Sequence, residues 1–308
     1  MKIENSKLDI EKLFNANHNM GKIGFFLFIK PISYLPLFFL YRLADFFYLL
    51  VYYVIRYRKK VVFTNLKNAF PHKTTQEITT IAKDFYRHFC DLLIESIKLF
   101  SISEKELKKR CRFTNLELIT QYAKEGKSLI IPTGHYNNWE MAGTAVNLQI
   151  PHQAIVVYSP LKNQFFNKII KASRGKFGTA LLSKQVLKTG LKTNPAELRA
   201  IIFAADQSPT MARAAYWTTF LNQETGIMIG SAKYAKQYDY PVVFGKITKV
   251  KRGYYEVEFI PLIDTPKAFS YGEITENHTR LLEKIIMEHP QYWLWSHKRW
   301  KRKKPLNL

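Results

Sequence analysis

Beyond Phe100 the chain alternates short apolar runs with stretches of helical periodicity, and this alternation limits the fold more than any other feature. Ser128–Pro132, Ala154–Tyr158, Ala200–Ala205 and Pro241–Ile247 have the length and content of buried strands. Trp139–Leu148, Gln164–Ala172, Gln185–Leu191 and Gly226–Gln237 read as helices. Strands that alternate with helices are joined by crossovers, which favour parallel pairing. The expected fold is therefore α/β, with a mostly parallel central sheet flanked by helices. Tyr254–Ile260 reads as a further strand, paired with Pro241–Ile247 through a turn at Lys251–Gly253. Glu273–Glu288 reads as a closing helix, followed by an aromatic and basic tail, His289–Lys304.

The first third has a different grammar and is expected to be all-helical and membrane-associating. Residues 1–60 are assigned to an N-terminal anchor region. Residues 61–308 are assigned to the α/β domain, with 61–100 as its helical lead-in. A helix over Val61–Phe70 stops at Pro71. Thr74 followed by Glu77 is a capping-box pair that opens a long amphipathic helix, Thr75–Phe100. Met1–Gly21 carries Glu4, Asp9 and Glu11 and has no early apolar run, so it does not resemble a cleaved signal peptide. Ile23–Ile55 is rich in Phe, Leu and Tyr and ends in Arg56, Arg58, Lys59 and Lys60. Lys30, Arg42 and Asp45 keep any uncharged run below the roughly 18 residues of a simple spanning helix. Pro31 and Pro36 are expected to kink or break it. A membrane anchor with a basic flank and a buried helical hairpin both fit this stretch. In either, Arg42 and Asp45 are spaced to pair on one helix face.

Lys plus Arg exceed Asp plus Glu by 47 to 24, a net charge of +23. Such a surface attracts polyanions, of which nucleic acid and anionic membrane are the obvious ones. No nucleic-acid motif accompanies the charge, so nucleic acid is not an expected partner. Cys90 and Cys111 are the only cysteines, which fits a reducing compartment and offers neither a disulfide framework nor zinc spacing. No metal site is expected.

The densest chemistry lies in Ser128–Gly143, SLIIPTGHYNNWEMAG. It reads as a strand, a polar turn holding His135, and a helix start capped by Asn138 with Glu140 just inside. Spacing alone is weak evidence, because His72/Glu77 and His278/Glu283 repeat it. Glu77 is a capping residue, and His278 and Glu283 fall on different faces of one helix. Only His135 and Glu140 are separated by a bend across which they can converge. An ionised carboxylate fixes the tautomer of a histidine base and stabilises its imidazolium. A polar loop with a capping glutamate is the bland alternative. No Gly-x-Ser-x-Gly elbow is present and no cysteine adjoins the turn, so direct transfer suits this chemistry. The histidine would deprotonate a hydroxyl that attacks an activated acyl carbonyl. The oxyanion would be stabilised by backbone N–H groups near Gly134–Tyr136 or by an arginine.

TGHYNNWE resembles the histidine-x4-acid motif of the lysophospholipid acyltransferase superfamily, and its Asn-Trp-Glu ending resembles the late lipid A biosynthesis acyltransferase branch. The branch usually has glycine where this chain has Asn137. Other segments are similar to family blocks in the same order. They are YRKKVVFTNLKNAFP (Tyr57–Pro71), VYSPLKNQFFNKIIKASRGKFG (Val157–Gly178), AADQSP (Ala204–Pro209), WTTFLNQETGIMIGSAKYAKQ (Trp217–Gln237) and HPQYWLWSHKRWK (His289–Lys301). The resemblance implies His135 as general base, Glu140 as its orienting partner, and Arg174 as a carbonyl or phosphate contact. Asp206, Gln207 and Asn138 become further substrate-side residues, and Phe220, Gly226 and Gly230 anchors of their block. Taken as residues alone, Arg174 also fits a solvated helix end, and Asp206 and Gln207 also fit a cap. The odd-numbered Trp293, Trp295, His297 and Arg299 fit an edge strand or a band facing substrate or membrane. Lys301–Lys304 fits a solvated tail.

What the resemblance implies is a metal-independent O-acyltransferase at the cytoplasmic face of the inner membrane, with no cofactor beyond its acyl co-substrate. The donor would be acyl-acyl carrier protein, with acyl-CoA as the alternative. The acceptor would be an anionic, Kdo-bearing lipid A precursor. A lysophospholipid, an ornithine or glycine lipid, or a glycosylated phosphatidylinositol are alternative acceptors. A non-enzymatic basic membrane-surface protein is the further alternative.

Overall fold

The computed structural model describes residues 21–191 and 197–305. The expectation for Met1–Gly21 therefore falls almost wholly outside the described residues. After a π-helical turn at Phe25–Ile29 come the helices α1 (Lys30–Tyr34), α2 (Leu37–Leu49), α3 (Lys59–Ala69), α4 (Thr75–Lys98) and α5 (Glu104–Arg110). The rest alternates: β1 (Cys111–Thr114), α6 (Leu116–Lys124), β2 (Leu129–Thr133), α7 (Trp139–Ala145), β3 (Gln153–Tyr158), α8 (Gln164–Arg174), β4 (Ala180–Ser183), α9 (Leu187–Gly190) and β5 (Arg199–Ala204). A hairpin of β6 (Ala215–Phe220) and β7 (Gln223–Met228) follows, then α10 (Gly230–Tyr238), β8 (Val242–Lys251), β9 (Tyr254–Ile263) and α11 (Tyr271–Glu288).

Among the described residues, seven strands form one sheet in the order β1-β9-β8-β2-β5-β3-β4. All its pairings are parallel except β8 with β9, so the sheet is α/β and mostly parallel as expected. The short edge strands β1 and β4 were not anticipated from their sequence. The stretch read as a helix from Gly226 instead begins as strand β7, and the helix starts only at Gly230. The reason is a cross-strand partner: Trp217, Thr218 and Thr219 pair with Gly226, Thr225 and Glu224.

Local rules explain the helix boundaries. Thr74/Glu77 and Ser270/Glu273 form complete capping boxes at the starts of α4 and α11. Pro31 does not break its helix: residues 21–34 stay helical, with π-type bonding over Phe25–Ile29 just before the proline, whereas Pro36 interrupts the chain before α2. One apolar layer lies between the sheet and α7, including Met141, Ala145, Leu129, Ile131 and Phe259. The opposite layer lies under α10 and α11, including Ile130, Ile201, Ala232, Ala235 and Ile274. A third joins α2, α3 and α4 to the C-terminal tryptophans Trp293 and Trp295.

Leu37–Val54 is long and apolar enough to cross a membrane by length and composition, and only 22% of it is buried within the protein. Phe38, Phe39, Phe46 and Leu49 are each more than half exposed. The expected Arg42–Asp45 pair does not form. Asp45 instead meets Arg252 of the β8–β9 turn at 2.6 Å, and Arg42 lies over the Phe38 ring.

Leu129 is fully buried in central strand β2. Leu129→Ala is expected to lower stability by about 2–5 kcal/mol, read as a lower urea midpoint with an unchanged denaturant slope.

Candidate active site

His135 lies two residues beyond the end of β2, and Asp206 two residues beyond the end of β5. These strands are adjacent and parallel, with Thr133 in register with Ala204 and the Ala205 N–H bonded to the Thr133 carbonyl at 3.0 Å. Equal overhangs from paired positions bring the two side chains together at the carboxyl edge of the sheet, where α/β proteins bind ligands. The His135 Nδ1 lies 2.7 Å from the Asp206 Oδ1, and the His135 backbone N–H donates to Oδ2 at 2.8 Å. Trp293 Nε1–H donates to the same Oδ2 at 2.8 Å. A carboxylate here accepts only, so Nδ1 carries the proton and Nε2 presents a lone pair.

This corrects the expected pairing of His135 with Glu140. Glu140 turns to Arg174, whose Nε and Nη2 meet its two oxygens at 2.6 and 2.5 Å. A guanidinium fork matches a carboxylate in this bidentate way, which a histidine cannot. Glu140 also accepts from Trp139 Nε1 at 3.2 Å. Arg174 ends α8 and Glu140 begins α7, so the pair ties the two helices together beside His135.

Asn138 is a second correction. Its side chain is buried rather than presented to a ligand: Oδ1 caps α7 through the Met141 N–H at 2.8 Å, and Nδ2 donates to Glu95 at 2.6 Å. Gln207, by contrast, faces the site, with its amide Nε2 3.1 Å from His135 Nε2. The backbone N–H groups of His135 and Asn137 are committed to Asp206 and to the Tyr292 carbonyl, so neither is available to an oxyanion.

The turn itself is set by two positions. Asn137 has φ +53°, a left-handed conformation that asparagine tolerates best among residues with a Cβ. Glycine adopts this conformation as readily, so the asparagine at this position is compatible with the same turn. A Cβ on Gly134 would lie 2.8 Å from Leu282 and 3.3 Å from the Asp206 carboxylate, so the bare backbone is what admits the close approach.

Burial opposes charging of His135, but the Asp206 carboxylate outweighs it and raises the histidine pKa above its ordinary value. Burial also opposes ionisation of Asp206, yet His135 and the surrounding N–H donors hold it down at about 2. The two shifts describe one strongly coupled pair.

His135, Glu140, Arg174 and Gln207 line one cavity of ≈ 270 Å³, to which Lys171 and Lys184 add positive charge. Beneath Trp139 lies a second, almost wholly apolar space of ≈ 90 Å³, bounded by Phe113, Val146, Ile202 and Val257. The two share Trp139, Gly143, Val156 and Ala204.

The closing segment forms neither a strand nor a surface band. Trp293, Trp295 and Arg299 are buried, and the segment supports the site from behind. His297 Nε2 accepts the Ser208 N–H at 3.2 Å, and Arg299 donates to the Gly226 carbonyl at 2.7 Å. Asn65 of α3 donates to the Trp295 and His297 carbonyls. The sequence pattern alone does not pair Trp293 with Asp206; its place in an aromatic signature is the one signal for it.

The profile of the family described as bacterial lipid A biosynthesis acyltransferase matches residues 17–302. The chain belongs to this family. It is 20% identical over 251 residues to the lipid A biosynthesis palmitoleoyltransferase of Escherichia coli (strain K12), covering 80% of each chain. It is 22% identical over 246 residues to a lipid A biosynthesis acyltransferase of Haemophilus influenzae (strain ATCC 51907 / DSM 11121 / KW20 / Rd), covering 79% of this chain and 78% of that one. The family makes this chain an acyltransferase.

Asp206→Asn removes the charge that favours imidazolium and leaves the burial that opposes it. NMR titration is expected to place the His135 pKa above 6.5 in the native protein and below it in the variant.

Proposed function

We propose that this acyltransferase moves a fatty acyl chain from acyl-acyl carrier protein to a hydroxyl of an anionic lipid A precursor, with His135 as general base and Asp206 as its orienting partner. The observation that carries this reading is a carboxylate-held histidine whose Nε2, met only by the Gln207 amide, faces a cavity that adjoins an apolar one. The acceptor O–H gives its proton to Nε2 as its oxygen bonds to the thioester carbonyl carbon. The resulting oxyanion collapses, the C–S bond breaks, and the imidazolium returns the proton to the leaving thiolate. Arg174, held in place by Glu140 and lining the same cavity as His135, would serve as the cation for the oxyanion or an acceptor phosphate. The Gln207 amide sits where an acceptor hydroxyl would approach Nε2 and would hold that hydroxyl.

The acyl chain would run past Trp139 into the apolar space that shares Gly143 and Val156 with the reacting cavity. An acidic carrier protein and a phosphorylated, Kdo-bearing acceptor both suit a chain of net charge +23. The exposed apolar face of α2 and the basic flank at Arg56–Lys60 support residence at the cytoplasmic face of the inner membrane.

With purified protein, lauroyl-acyl carrier protein and a Kdo-bearing lipid A precursor, His135→Ala is expected to lower kcat about 10²–10⁴-fold while keeping the native fold by circular dichroism. Near-native turnover in the variant would sink the mechanism, and transfer only to lysophospholipid or aminoacyl lipids would sink the acceptor. Gly143→Val narrows the passage between the two cavities and is expected to shift donor preference towards shorter chains, read by competition between labelled acyl carrier proteins.

A further inference from the structure

Glu95 lies fully buried on α4, a carboxylate that touches neither cavity of the active site. Three donors from three other elements converge on it. Tyr41 Oη of α2 reaches Oε1 at 2.8 Å, while Tyr255 Oη of β9 and Asn138 Nδ2 reach Oε2 at 2.8 and 2.6 Å. Burying such a group costs several kcal/mol unless its lone pairs are satisfied. Capping of α7 needs only the Asn138 Oδ1, so the Nδ2–Glu95 bond does something else: it fixes the Asn138 side chain, and with it the backbone between His135 and Glu140.

One turn earlier on α4, Asp91 is bonded by Arg252 at 2.6 Å, and Arg252 also bonds Asp45 of α2 at 2.6 Å. Helix α2, whose outer apolar face is exposed, is thus latched to the domain at two levels. The inner latch, Tyr41–Glu95–Asn138, ends at the catalytic turn.

We propose that Glu95 is a positioning residue which transmits the seating of helix α2 to the His135–Glu140 turn through Asn138. Its kinetic consequence rests on the acyl-transfer reading above, and its structural consequence does not. A misplacement of about 1 Å at reacting groups costs about a hundredfold in rate, so a loosened Asn138 is felt in turnover rather than in binding.

The test uses the full chain on phosphatidylethanolamine–phosphatidylglycerol vesicles, with Glu95→Leu, Glu95→Gln and Tyr41→Phe. Transfer from lauroyl-acyl carrier protein and amide exchange over residues 139–145 are measured together. Glu95→Leu is expected to lower kcat at least about tenfold with donor KM within about twofold, and to speed exchange over 139–145 about tenfold. Glu95→Gln keeps an amide oxygen for Asn138 and is expected to stay within about threefold of native in both. Tyr41→Phe is expected to speed exchange over 139–145 as well. Native kcat and exchange in Glu95→Leu would overturn the proposal, and so would a Glu95→Gln variant as damaged as Glu95→Leu. Should Glu95→Leu fail to fold, native exchange in Tyr41→Phe overturns it. Absence of transfer by the unaltered protein would overturn the proposed acceptor chemistry, and the exchange results would still decide the positioning role.

Discussion

The Asp206 carboxylate accepts the His135 backbone N–H, the His135 ring and the Trp293 indole, and the catalytic end of the molecule is organised around it. Two adjacent parallel strands in register deliver it, each overrunning the sheet by the same two residues. The charge of His135 and these donors outweigh burial and keep Asp206 ionised, and an ionised carboxylate is what keeps the Nδ1 proton on the histidine. The tautomer follows from the sheet register.

A second carboxylate has a different task. Glu140 starts α7 and holds Arg174 at the end of α8, so the cation is placed by a fork-to-fork pair rather than left to wander. The separation of roles is physical: the shorter aspartate, fixed by strand geometry, orients the base, and the helix-borne glutamate orients the cation. Behind both, the C-terminal segment fills the space between α3, α4 and the Asp206 loop with Trp293, Trp295, His297 and Arg299. The residues that read as a possible surface band are internal because each has a partner inside.

The α/β class, the main strands and the capped helices were legible because periodicity and capping chemistry are local. The turn at His135, the cavity position of Arg174 and the approach of Gln207 were also reachable from motifs. The partner of His135 was not. Glu140 is five residues away and Asp206 seventy-one, and only strand order says which of them arrives. The β6–β7 hairpin was missed because Gly226–Met228 shows no strand signal apart from its partner, Ala215–Trp217. Asp45 found Arg252 rather than Arg42, again through a contact more than two hundred residues distant.

The pH dependence of kcat/KM for acyl transfer, in the native protein and in Asp206→Asn, tests the central claim most directly. A base held by Asp206 must be neutral to act, so activity rises with pH through the raised His135 pKa. The account predicts an acid limb with its midpoint above 6.5 in the native enzyme. In Asp206→Asn it predicts a limb moved to lower pH and a plateau about 10³–10⁴-fold lower. An unchanged limb and plateau in Asp206→Asn would contradict it.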